Sequence, residues 1–128
     1  MKALRLKLSE SISQALRTLS FPKKDYSLTP PKNSEFGDLS SNIALLLSRD
    51  LNRKPMDIAR IIADELRSTL PENITNVTIA KPGFLNFEIS NKFFQSQILN
   101  ILKDNDNYGK GSIGDGKTAN VEFVSANP

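Results

Sequence analysis

The chain has 128 residues, 38% of them hydrophobic, with 17 Lys or Arg against 14 Asp or Glu. That balance suits one soluble globular domain with an ordinary core and a mild affinity for polyanions. It contains no Cys and no His, which excludes disulfide scaffolds, thiol catalysis and cysteine zinc sites, and removes the commonest general base and metal ligand. No apolar run approaches the ~20 residues that span a bilayer, so no membrane association and a cytoplasmic location are expected.

Taken in chain order, Leu4, Leu8, Ile12, Ala15, Leu16 and Leu19 recur at helical spacing and draw one apolar stripe along a first helix that stops before Pro22. Tyr26 to Thr29 reads as a short extended segment ended by Pro30 and Pro31. Pro30 to Gly37 is a polar loop. The pattern Leu39, Ile43, Leu46 and Leu47 then predicts a second helix ending near Leu51, with Asp38 or Ser40 as its cap. Pro55 opens a third helix whose stripe is Ile58, Ile62, Leu66 and Leu70.

Val77 and Ile79, two apart among threonines, carry a strand signature over Ile74 to Ala80. The run Lys81-Pro82-Gly83-Phe84 has the sequence logic of a type II turn. Phe84 to Ile89 alternates, with Leu85, Phe87 and Ile89 on one face and Phe84, Asn86 and Glu88 on the other. The two segments form a hairpin. Ser90 caps a last predicted helix through about Lys103, with Phe94, Ile98, Ile101 and Leu102 facing inward.

Beyond Asp104 the composition shifts, and Gly109, Gly111, Gly114 and Gly116 fall within eight residues, as in a linker. Ala119 to Val124 reads as a strand without a partner, so the sequence is expected to be cut from something longer. The stretch Gly109 to Gly114, GKGSIG, spells the dinucleotide fingerprint. Its context is reversed, because the fingerprint needs a strand before it and a helix after it.

The hairpin is the more informative candidate. If Leu85, Phe87 and Ile89 fill the core, the Phe84 ring and the Asn86 carboxamide point away from it, beside Lys81 at the turn. An aromatic face, an amide edge and a cation are what an unstacked nucleotide requires. The other reading, in which a helix covers Phe84 and Asn86 satisfies a backbone group, stays open from the pattern alone.

Three stretches, Phe36-Gly37-Asp38 with the Leu-Ser-Ser-Asn-Ile-Ala after it, Lys81 to Phe87, and Val121 to Pro128, together resemble the amino-terminal part of bacterial-type arginyl-tRNA synthetases. The resemblance covers the whole chain. It implies an additional tRNA-recognition domain over residues 1–104, a Gly-rich linker over 105–118, and over 119–128 the first strand of a class I catalytic domain that continues beyond the chain. The expected fold is α+β in two layers, a small, mainly antiparallel sheet covered by about four helices with its other face open.

By the same resemblance, the parent enzyme is an arginine–tRNA ligase that uses ATP with Mg and arginine. This chain holds no catalytic or metal-binding residues of its own and binds no cofactor. Its partner is tRNA, met at the D-loop, with Phe84 stacking on a base, Asn86 reading its edge and Lys81 nearby. Glu122 and Asn127 are implied as arginine-binding residues. The competing expectation is a protein-interaction module with no RNA contact, docking through Phe84 and the hairpin edge.

Overall fold

A computed structural model of the chain describes residues 1–111, 114–118 and 120. Residues 119 and 121–124 of the predicted strand, Glu122 included, and Asn127 lie outside these residues. The elements are α1 (Lys2–Thr18), β1 (Leu28–Thr29), a 3-10 turn (Ser34–Phe36), β2 (Leu39–Ser41), α2 (Ile43–Asp50), α3 (Pro55–Leu66), β3 (Ile74–Ala80), β4 (Phe84–Ile89), α4 (Asn91–Asp104) and a second 3-10 turn (Asn105–Asn107). The class is α+β, with one antiparallel sheet in the order β1-β2-β4-β3.

The alternation of β4 decides the layers. Leu85, Phe87 and Ile89 face a core they share with Leu39 of β2, Ile74 and Val77 of β3, and the stripes of α1, α2 and α3. Phe87 sits between Leu39 and Val77 in the register, and Leu85 between Ser41 and Ile79. The opposite face carries the row Thr29, Ser40, Asn86 and Thr78, with Phe84 paired to Ala80 beside it. Helices α2 and α3 lie against the sheet, and α1 packs on α3.

Two helix ends redirect the chain. At the end of α1, Ser20 takes a left-handed φ of 55°. There the Ser20 amide donates to the Arg17 carbonyl (3.0 Å) and the Phe21 amide to that of Leu16 (2.8 Å), the Schellman closure that pairs orphan carbonyls. It turns the chain back so that residues 21–28 run beside α1, where Tyr26 Oη donates to the Ser9 carbonyl and meets Ser9 Oγ at 3.0 Å. Asn52 closes α2 in the same way with a φ of 47°.

Four expectations are corrected. Leu39 to Ser41 is a strand, because these residues pair with β4, and α2 starts only at Ile43. Neither Asp38 nor Ser40 caps that helix. The Asp38 carboxylate instead accepts the Ile89 amide across the sheet at 2.7 Å, and Ser41 Oγ accepts the Ile43 amide. The hairpin turn spans Ala80 to Gly83, closed by the Gly83 amide on the Ala80 carbonyl at 2.9 Å. Its Lys81–Pro82 bond is cis, which makes it a type VI turn and not the type II turn expected.

The fourth correction concerns α4. Ser90 caps it as expected, its hydroxyl accepting the Phe93 amide, and Phe93 and Phe94 pack against the core. Ile98, Ile101 and Leu102 are exposed, and no residue of α4 is buried. A helical stripe says that a face is apolar. It does not say that the domain covers it.

Candidate nucleic-acid interface

The outer face of the sheet holds a cleft of about 410 Å³. The central strands give its floor, Ser40 and Asn86, and Phe84 and Lys81 rise at the hairpin end. The loop from Pro30 to Phe36 forms the facing wall. No α-helix takes part in the lining. Phe84 is half-buried and Lys81 is exposed.

Asn86 is the most confined of the three candidate residues, at 3% exposure, because β2 and β3 flank it on both sides. Its carboxamide makes no hydrogen bond to another described residue. Nor is it sealed away, since the one fully covered side-chain nitrogen or oxygen without a partner among the described residues is Arg5 Nε. The Asn86 side chain lines the cleft floor. Buried amides normally find partners inside the fold, and among the described residues this one has none.

Two glycines fix the walls. A Cβ on Gly83 would lie 2.6 Å from Pro55 Cβ and 3.0 Å from the Pro55 carbonyl carbon, and its φ is +153°. The hairpin tip thus rests directly on the first residue of α3, and only glycine allows that approach. Gly37, with φ +98°, passes 2.9 Å from the Phe87 carbonyl oxygen measured from the same ideal Cβ. Immediately after it the Asp38 amide donates to that carbonyl at 2.9 Å. Asp38 then holds the Ile89 amide, so Phe36-Gly37-Asp38 anchors the polar loop against β4.

The structure brings Phe84, Asn86 and Lys81 into one cleft, while Glu122 and Asn127 lie outside the described residues. Ser40, Asn33 and Phe36 also line it and do not stand out in the sequence as site residues. Phe36 is 49% exposed, and one signal for it exists: a lone aromatic in an otherwise polar loop. Ser40 carries no such signal, because its place on the cleft floor comes from the pairing of β2 with β4. Among the described residues no cluster of acidic groups could hold a metal ion. No helix of the described residues is long and apolar enough to cross a membrane. Around the GKGSIG stretch, Gly109, Gly111, Gly114 and Gly116 have nothing within 4 Å of an added Cβ, so packing does not demand glycine at any of them.

The chain is a small antiparallel sheet with helices on one face and a polar, aromatic-walled cleft on the other. Residues 6–89 match the family described as the arginyl tRNA synthetase N terminal domain, and the chain belongs to that family. It is 39% identical over 122 residues to an arginine–tRNA ligase of Prosthecochloris aestuarii, covering 94% of this chain and 22% of that protein. Over 110 residues it is 44% identical to one of Nitratidesulfovibrio vulgaris, covering 86% and 20% respectively. Its fold is similar to part of the arginyl-tRNA synthetase of Thermus thermophilus, with a TM-score of 0.61 and 26% identity over 70% of this chain and 14% of that one. The chain spans about a fifth of the length of these curated relatives.

Proposed function

We propose that this chain is the tRNA-recognising portion of an arginine–tRNA ligase and that the hairpin cleft takes an unstacked base of the D-loop. Phe84 supplies the stacking face, the Asn86 carboxamide pairs with the polar edge of the base, and Lys81 at the exposed tip meets a neighbouring phosphate. Aminoacylation, with ATP and Mg and the arginine substrate, belongs to the remainder of such an enzyme. Glu122 and Asn127 are proposed arginine contacts on the strength of the resemblance alone, a carboxylate being suited to a cationic group and an amide to the amino-acid end.

The observation that carries the reading is the Asn86 carboxamide, confined on the cleft floor without a hydrogen-bond partner among the described residues and beside an aromatic ring. A cleft of about 410 Å³ is within the range that encloses small planar ligands, so one base fits and a duplex does not. Competition between tRNA and a blunt RNA duplex of matched length and charge tests this. The chain is expected to prefer tRNA. Equal affinity for the two would leave only backbone attraction and overturn the base-reading role, and binding indifferent to salt would point to a protein partner instead.

A further inference from the structure

A second concavity, roomier than the hairpin cleft, lies elsewhere. It is a cleft of about 860 Å³ between α1 and the returning segment 21–28. Lys2, Arg5, Arg17, Lys23 and Lys24 line it, with Asp25 as its only acid. In a chain with 17 cations against 14 anions, five to one around a single cleft is a strong local excess. Clefts with apolar walls concentrate such a field, and here Leu16, Phe21 and Leu28 supply them.

The fold leaves most of this charge uncompensated. Lys24 bridges Asp50 at 2.6 Å, and Arg17 is held by the neutral Gln14 Oε1 at 2.7 and 3.2 Å. Lys2, Arg5 and Lys23 form no ion pair among the described residues. Arg5 Nε is covered and unpartnered, an expensive state for a guanidinium unless an acceptor arrives. Lys2 also stands in the first turn of α1, which has no acidic residue and no side-chain cap, so the local positive charge adds to the helix dipole. The Schellman closure at Ser20 and the Tyr26–Ser9 contacts tie the far wall to α1.

We propose that this cleft binds the phosphodiester backbone of an RNA strand, and so forms a second contact distinct from the hairpin cleft. The proposal rests on the tRNA reading for the identity of the strand. The two clefts lie on either side of the edge strand: Tyr26 and Leu28 line the basic one, Ser27 and Thr29 the other. A strand crossing that edge can leave a base against Phe84 and its phosphates among Lys2, Arg5 and Lys23.

The test is the salt dependence of tRNA binding to the full chain, measured by anisotropy with unmodified tRNA over a series of KCl concentrations. Lys2→Gln with Lys23→Gln removes two exposed cleft charges without touching the core. Arg60→Gln with Arg67→Gln removes one charge from α3 and one from its C-cap, outside both clefts, as a control. Phe84→Ala with Asn86→Ala disables the hairpin cleft. The cleft pair is expected to lower the slope of log K against log salt by about 1.4, two contacts at about 0.7 each for single strands. The control pair should leave the slope unchanged. The hairpin pair should weaken binding at every salt concentration with the slope intact.

An unchanged slope for the cleft pair, or an equal drop for the control pair, overturns the proposal while leaving the hairpin reading standing. A reduced slope for the cleft pair with no effect of the hairpin pair supports the basic cleft and overturns the base-reading role. If the unsubstituted chain binds no tRNA at any salt concentration, both fall.

Discussion

The two faces of β4 are built from alternate residues of one six-residue strand, yet they are made for different ends. Leu85, Phe87 and Ile89 are buried among aliphatic neighbours and complete the core. Phe84 and Asn86 look the other way, into a cleft whose opposite wall is a proline-rich loop. Burial alone does not separate the two sets, since Asn86 at 3% is as covered as Ile89 at 5%. What separates them is whether their bonding and packing capacity is used. The core face is saturated, while the cleft face holds a half-covered ring and a carboxamide without a partner among the described residues.

Substitutions on the two faces should therefore diverge. Phe87→Ala empties the fully buried centre of the sheet and is expected to cost about 3–5 kcal/mol, read as an equilibrium denaturation midpoint. A smaller loss would mean that the core collapses around the void. Gly83→Ala forces a Cβ into Pro55 at a φ other residues resist, and should cost about 2–3 kcal/mol, at the upper end for overpacking. Retained stability there would show that the hairpin tip can lift away from α3. Asp38→Ala removes the carboxylate acceptor of the Ile89 amide and should cost about 1.5–3 kcal/mol. It should also loosen the cleft wall, seen as faster hydrogen exchange of the Ile89 amide. Phe84→Ala, on the cleft face, should shift stability by no more than about 1 kcal/mol.

Much of this contrast is legible in the amino-acid sequence. The strict alternation from Phe84 to Ile89 and the helical stripes of α1 and α3 are sustained patterns that burial imposes directly on sequence. The three residues of β2 are too few to show a period, and its pairing with β4, more than forty positions away in the register, has no local signature. The covering of Asn86 is hidden for that reason, since it comes from having paired strands on both sides. The exposed face of α4 is equally hidden, because periodicity reports amphipathicity and not the presence of a partner. The basic cleft has no sequence pattern at all: Lys2 and Arg5 are separated from Lys23 by a helix and a turn, and only the reversal at Ser20 gathers them.

The sharpest check on the central claim pairs two readings of the same protein, the tRNA affinity and the melting temperature of the Phe84→Ala chain. Affinity per folded molecule is expected to fall about 5- to 150-fold, the equivalent of 1–3 kcal/mol of lost base stacking, with the melting temperature nearly unmoved. A collapsed melting temperature with affinity per folded molecule unchanged would show that the ring serves the fold, and would contradict the assignment of this cleft to RNA.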